Sequence, residues 1–220
     1  MSTATVQQGR RRDPVQERSH ETVSRVLAAA GRLLARGVSA QGLTTAQIAA
    51  EAGLSVGALY RFFPDKQAVV DAIARHHLAV FQEELAAGLM AALPDSPAGF
   101  LAAVVDAFVR YLEAHADFRM IAYAHPGGGA ASGHHGGGGR AISMAMFEQQ
   151  AGGGEMAGMV REFLSLMFGI EADEAFDFRL RLAAEIGDRL IAHAFAQGDL
   201  ALRARVLAEA KRVLAGYLFG

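Results

Sequence analysis

The chain has no cysteine and no tryptophan. Without thiols it can build neither a disulfide framework nor a thiolate metal site, a composition that fits a reducing, cytoplasmic setting. No run approaches the roughly 18 consecutive apolar residues of a membrane span. The opening MSTATVQQGRRRDP lacks the apolar segment of a secretory signal. Alternating apolar–polar stretches of the kind a strand needs are missing, and so is any internal repeat. What is present is apolar and helix-patterned: 52% of the 220 residues are hydrophobic. That length suffices for one large domain, or for a small domain packed on a larger one.

The formal net charge of −2 hides an asymmetry. Residues 1–66 carry nine Lys/Arg against five Asp/Glu, a net of +4, while the remaining 154 residues carry −6. A basic head on an acidic body suits a chain of which only the head meets a polyanion, although chance gives the same numbers.

Periodicity and punctuation lay out the helices. Residues 1–13, with Arg10-Arg11-Arg12, read as a flexible basic arm. From Pro14 a helical pattern runs through Val23, Val26, Leu27, Ala30, Leu33 and Leu34, and Gly37 stops it. Thr44 caps a short helix, Thr45–Ala52, that turns Ile48 and Ala49 inward. Gly53 breaks that helix and Leu54 returns to the core. Ser55 caps a third helix, Val56–Phe62, ended by Pro64-Asp65, and Asp65 caps a long helix from Lys66 to about Leu89. Ser96-Pro97 starts a helix through Phe100, Val104, Phe108 and Leu112. Asp117 begins a short helix ending near Ala124, and Glu155–Phe168, Asp173–Phe195 and Leu200–Phe219 complete the chain. Between them, 126–154 holds eleven Gly, with a helix expected across Ala141–Gln150 and a loop or gate over 126–139. The expected fold is all-α.

A helix, a Gly-containing turn and a second helix can hold that second helix in a major groove. Ile48, Leu54 and Leu59 are spaced to form a small core with the first helix, leaving Ser55, Gly57, Ala58, Tyr60 and Arg61 outward. The segment Thr44–Lys66, TTAQIAAEAGLSVGALYRFFPDK, resembles the signature of TetR-family transcriptional regulators. The likeness extends over roughly residues 18–75. It implies phosphate contacts from Thr44, Tyr60 and Lys66, DNA binding by Thr45, a capping role for Ser55, and base-edge or backbone contacts from Val56, Gly57, Ala58 and Arg61. Only Arg61 among these can grip a guanine bidentately, which leaves much of the affinity to phosphates and DNA shape. Phe62 stands where the family often has Tyr or His. Tyr60 also fits a role covering the core, and Lys66 that of a solvated first-turn residue. Arg10–Arg12 fit either DNA contact or a solubility tail.

The resemblance implies residues 14–66 as a three-helix DNA-binding domain and 67–220 as a larger helical domain for effector binding and dimerisation. Two short reading helices give too little contact alone, so a homodimer on a palindromic operator in double-stranded DNA is expected. Leu182, Ile186, Leu190, Val206, Val213 and Tyr217 lie on helices apolar beyond one stripe, the pattern of a helix buried on two faces. An effector pocket is expected among Phe108, Tyr111, Phe118, Met120, Tyr123, Phe147, Met159, Phe163, Met167 and His193, residue types that also make ordinary cores. His134-His135 read as solvated loop residues, and neither metal nor cofactor is expected. With no strand pattern there is no nucleophile elbow, and the poly-Gly run 136–139 lacks the Lys and Ser/Thr of a phosphate loop. The leading expectation is therefore a non-enzymatic repressor released by a small, largely apolar effector. An activator or an effector-independent regulator is the alternative, and a helical-bundle enzyme a distant one.

Overall fold

The computed structural model describes residues 14–123 and 155–220, and the described residues form nine helices and no strand. The arm 1–13, the Gly-rich stretch 126–139, the helix expected over Ala141–Gln150 and Phe147 lie outside them. In chain order the helices are α1 (Pro14–Ala35), α2 (Thr45–Ala52), α3 (Val56–Tyr60), α4 (Lys66–Ala91) and α5 (Pro97–Ala114). α6 (Ala116–Tyr123), α7 (Glu155–Phe168), α8 (Glu174–Phe195) and α9 (Leu200–Phe219) follow.

The boundaries follow from caps. Thr44 and Gln47 close a capping box at α2, with the Thr44 Oγ1 accepting from the Gln47 N–H and the Gln47 Oε1 accepting from the Thr44 N–H. Gly53 ends α2 in the left-handed region, at φ 65°, where a side chain would be strained. Asp65, Ser96 and Asp173 cap α4, α5 and α8 through their side-chain oxygens. Two boundaries depart from the sequence expectation. α3 ends at Tyr60 rather than Phe62, because the Phe62 and Phe63 N–H groups both converge on the Leu59 carbonyl. That tightened turn precedes Pro64, which disfavours helical geometry at Phe63. α6 starts at Ala116, and Asp117 lies in its first turn with Oδ1 accepting from the Phe118 N–H.

One continuous apolar core runs through the described residues. At the N-terminal end Val26, Ala30, Leu34, Leu43, Ile48, Leu59 and Val69 are fully inaccessible, so α1, α2, α3 and α4 close around them. α1 also packs on α6, and α4 continues from the head to pack on α5 and α6. α8 and α9 make the most extensive helix pair, and α9 leans on α5 through the Lys211–Asp106 and Arg203–Glu113 ion pairs. No helix among the described residues is long and apolar enough to cross a membrane.

Leu59 is the side chain by which α3 is nailed to this core. Leu59→Ala is expected to cost about 2–5 kcal/mol of stability, measured as a shift of the urea unfolding midpoint at unchanged slope. A shift worth under ~1 kcal/mol would show that α3 is not anchored there.

Candidate nucleic-acid interface and apolar cavity

The face opposite Leu59 carries the residues singled out in the sequence. Val56, at 38% exposure, and Tyr60, at 51%, stand out from α3, with Ser55, Gly57 and Arg61 exposed beside them. A Cβ added at Gly57 would meet nothing within 4 Å, so the surface there is open and low enough for close backbone approach. Ser55 Oγ accepts from the Ala58 N–H at 3.1 Å. That bond gives the serine its function in Gly53-Leu54-Ser55-Val56-Gly57, a spacing that mimics a nucleophile elbow without the strand such an elbow requires.

The hydroxyl and ammonium groups have specific local partners. Tyr60 OH lies 3.4 Å from Thr45 Oγ1, which brings the end of α3 to the start of α2 and pairs two hydroxyls on one surface. Thr44 donates its hydroxyl to Gln47 Oε1 at 2.9 Å, so that proton is engaged within the capping box. Lys66 Nζ donates to the Gln41 carbonyl, tying the α1–α2 loop to α4 and leaving two further donors for an anion.

Much of the head's positive charge is used internally. Arg32 and Arg36 both pair with Glu51 on α2, at 2.7 and 3.1 Å, and Arg25 Nη2 donates to the last carbonyls of α2. The Arg32 hydrogen bond, helped by Arg36, outweighs desolvation and holds the Glu51 carboxyl below its ordinary range. Arg18 and Arg61 remain exposed to solvent.

In the larger helical part a cavity of about 150 Å³ opens between α4, α5, α7, α8 and α9. Its wall is almost wholly apolar, with Phe81, Phe108, Val160, Ile191 and Leu214 among its side chains. The polar exception is Asp188, buried on α8, whose Oδ1 accepts from Tyr123 OH at 2.7 Å. Burial, and then the Asp188 charge, push the Tyr123 phenol far above its ordinary value, so it stays protonated and donates.

Of the aromatic and Met residues expected at a pocket, Phe108 lines this cavity and Tyr123 reaches it through Asp188. Tyr111 and Phe118 are buried around His77 instead, and Met120, Met159 and Phe163 pack on the core from its margin. Met167 is 45% exposed, and His193 lies exposed on α8 beside Gln197. Sequence reasoning missed Asp188, because one acid in a helix that also carries Asp177 and Glu185 has no distinguishing signal.

The second apolar stripes on α8 and α9 are only partly covered, with Ile186 and Tyr217 packed on the core. Leu182, Ile186 and Leu190, at steps of four, are half-buried, as are Val206 and Tyr217, while Val213 is exposed. Phe178 and Leu202, both exposed, extend the two stripes; their four-residue spacing from Leu182 and Val206 could have flagged them.

This fold and surface define a class: an all-helical protein with an N-terminal helix-turn-helix DNA-binding domain and a larger helical C-terminal domain. Residues 26–73 match the family described as "Bacterial regulatory proteins, tetR family". A TetR-family transcriptional regulator from Streptomyces coelicolor, known from a crystal structure, shares the fold with a TM-score of 0.64 at 23% identity, over 90% of this chain and 97% of that one. A protein from Shewanella sp. PV-4 assigned to the tetR family gives 0.47 at 15% identity, over 87% and 97%. A Clostridium perfringens protein described as a fatty acid metabolism regulator gives 0.45 at 15% identity, over 88% and 96%. No curated protein matches the chain. Over residues 26–73 this chain is thus similar to the DNA-binding domain of the TetR family of transcriptional regulators.

The Ser55 cap is the local device that starts α3. Ser55→Ala is expected to lower stability by about 0.5–2 kcal/mol and to speed amide exchange in Val56–Tyr60 ahead of the rest of the chain. Unchanged exchange in that segment would show that α3 does not depend on this cap.

Proposed function

We propose that this chain is a homodimeric repressor that reads a palindromic operator through α3 and releases it when a small, largely apolar effector occupies the cavity. The observation that carries the reading is the face of α3 and α2 opposite Leu59. Thr45, Tyr60, Lys66 and Arg61 supply donors around an otherwise smooth apolar surface of Val56, Gly57 and Ala58. Hydroxyls and ammonium hold phosphates and fix register, whereas Arg61 is the base-reading side chain. Ser55 orders α3, and Thr44 aligns α2 while its hydroxyl competes between Gln47 and a phosphate.

Dimerisation is supported by the partly covered stripes. Each is the second apolar face of a helix whose first face is already buried, and Leu182, Ile186, Leu190, Val206, Val213 and Tyr217 pair two copies across a two-fold axis. The residues split as a head over 14–66 and a body over 67–220, with α4 joining them.

The effector reading rests on cavity chemistry. A cavity of about 150 Å³ takes an apolar molecule on the order of benzene in size. The almost wholly apolar wall then favours an apolar ligand. Phe81, on the cavity wall, belongs to α4, and its ring lies 5.3 Å from Phe108 and 5.4 Å from Tyr111. Ligand pressure on Phe81 therefore acts on the helix that carries the reading head. A 100-fold loss of operator affinity needs only about 2.7 kcal/mol of differential binding between two states.

Fluorescence anisotropy with DNA from the chain's own upstream region tests the reading, against a scrambled duplex at physiological salt. The upstream DNA is expected to bind at least ~10³-fold more tightly than the scrambled control. Lys66→Ala and Tyr60→Phe should each weaken binding without loss of helical circular dichroism, and Arg61→Ala should cost ~1–3 kcal/mol of discrimination. Equal affinity for both duplexes contradicts the proposal.

A further inference from the structure

His77, Tyr111, His115 and Asp117 meet where α4, α5 and α6 converge against α1, apart from the apolar cavity. His77 is buried, and its two ring nitrogens face different partners: Nδ1 lies 2.8 Å from Tyr111 OH and Nε2 lies 3.1 Å from Asp117 Oδ2. His115 ends α5 and sets its ring 5.1 Å from that of His77. One ligand atom from each of His77, His115 and Asp117 lies within 4.8 Å of the other two. The three side chains line an open recess of about 650 Å³, with Ser24, Gly31 and His76 on its other walls.

We propose that His77, His115 and Asp117 bind a divalent first-row transition-metal ion of the Zn²⁺ class. Two imidazoles and one carboxylate are a donor set for such borderline ions, whereas Ca²⁺ and Mg²⁺ seek more oxygen ligands than this recess offers. Bonds of about 2.0–2.2 Å place donor atoms roughly 3.4 Å apart around a tetrahedral ion. The His77–Asp117 pair, at 3.1 Å, is already near that separation. A modest turn of the half-buried His115 ring brings in the third donor.

The surroundings match what a metal-bound histidine needs. Tyr111 OH engages the far nitrogen of His77, which holds the ring with Nε2 turned to the cluster. Asp117 uses Oδ1 to accept from the Phe118 N–H at 2.9 Å and turns Oδ2 to the cluster. Three protein ligands leave a fourth position toward the recess, for water or a small ligand. The ion would bridge α4 to the α5–α6 junction directly beside Gly31 of α1, stiffening the seam between head and body.

The experiment uses untagged full-length protein, stripped with chelator and titrated with Co²⁺ as a visible probe. One Co²⁺ per chain is expected, with the visible absorption of a low-coordinate site, displaced by equimolar Zn²⁺. His115→Ala should weaken Co²⁺ binding on the order of 100-fold, and Tyr111→Phe, which touches no ion, on the order of 10-fold. A His134→Ala/His135→Ala chain should bind as wild type. Circular dichroism checks that each variant folds, and Asp117→Asn replaces His115→Ala if the latter does not. Absence of stoichiometric Co²⁺ and Zn²⁺ binding overturns the proposal. So does binding that survives His115→Ala and Asp117→Asn, or that disappears with His134 and His135.

Discussion

Everything in this structure depends on one helix, α1, being shared by two sets of neighbours. One side of it presents Val26, Ala30 and Leu34 to α2 and α4, and closes the core that holds α3. Another side runs close to α6, where Gly31 is buried and a Cβ there would come 3.0 Å from Asp117 Oδ2. Small residues on α1 let both neighbours come near, so the reading head has no core of its own that is independent of the body. A protein interior packed to this density shifts between discrete arrangements rather than deforming smoothly. α1 thus packs on α4 and α6 as well as on α2.

The same sharing explains how charge is used. The excess of basic residues before position 66 suggests a polyanion-binding face, yet Arg25, Arg32 and Arg36, although solvent-exposed, are engaged with α2 and tie it to α1. Positive charge thus first builds the scaffold, through bonds to Glu51 and to the C-terminal end of α2. The surface proposed to read DNA is correspondingly sparse: Arg61 is the side chain it offers to bases, and the Thr45 and Tyr60 hydroxyls are those it offers to phosphates.

The head was legible because its signals are local. Thr44, Gly53, Ser55 and Asp65 each act within three or four residues, as a cap or a break, and their chemistry is visible in the sequence. α3 came out shorter than its pattern because the Leu59 carbonyl collects two N–H groups ahead of Pro64, a geometric detail that periodicity does not carry. The body was legible only as helices. Tyr111 and Phe118 read as pocket residues by type, but they are held around His77, 34 residues from Tyr111 along the chain. Asp188 and Tyr123 meet across 65 residues. Such pairs are made by helix packing, and a single sequence contains no periodic trace of them. The stripes proposed for dimerisation fall between these cases: α8 and α9 are visibly apolar on two faces, but which face is already covered is settled by α5 and α7.

The central claim is that two copies of α3 read DNA at a spacing fixed by this scaffold. Hydroxyl-radical footprinting on the chain's own upstream DNA tests it most directly. The account predicts two protected segments related by a dyad, their centres about 34–36 Å apart along the duplex or a multiple of that distance. A single protected stretch without dyad symmetry, or no protection at physiological salt, would contradict it.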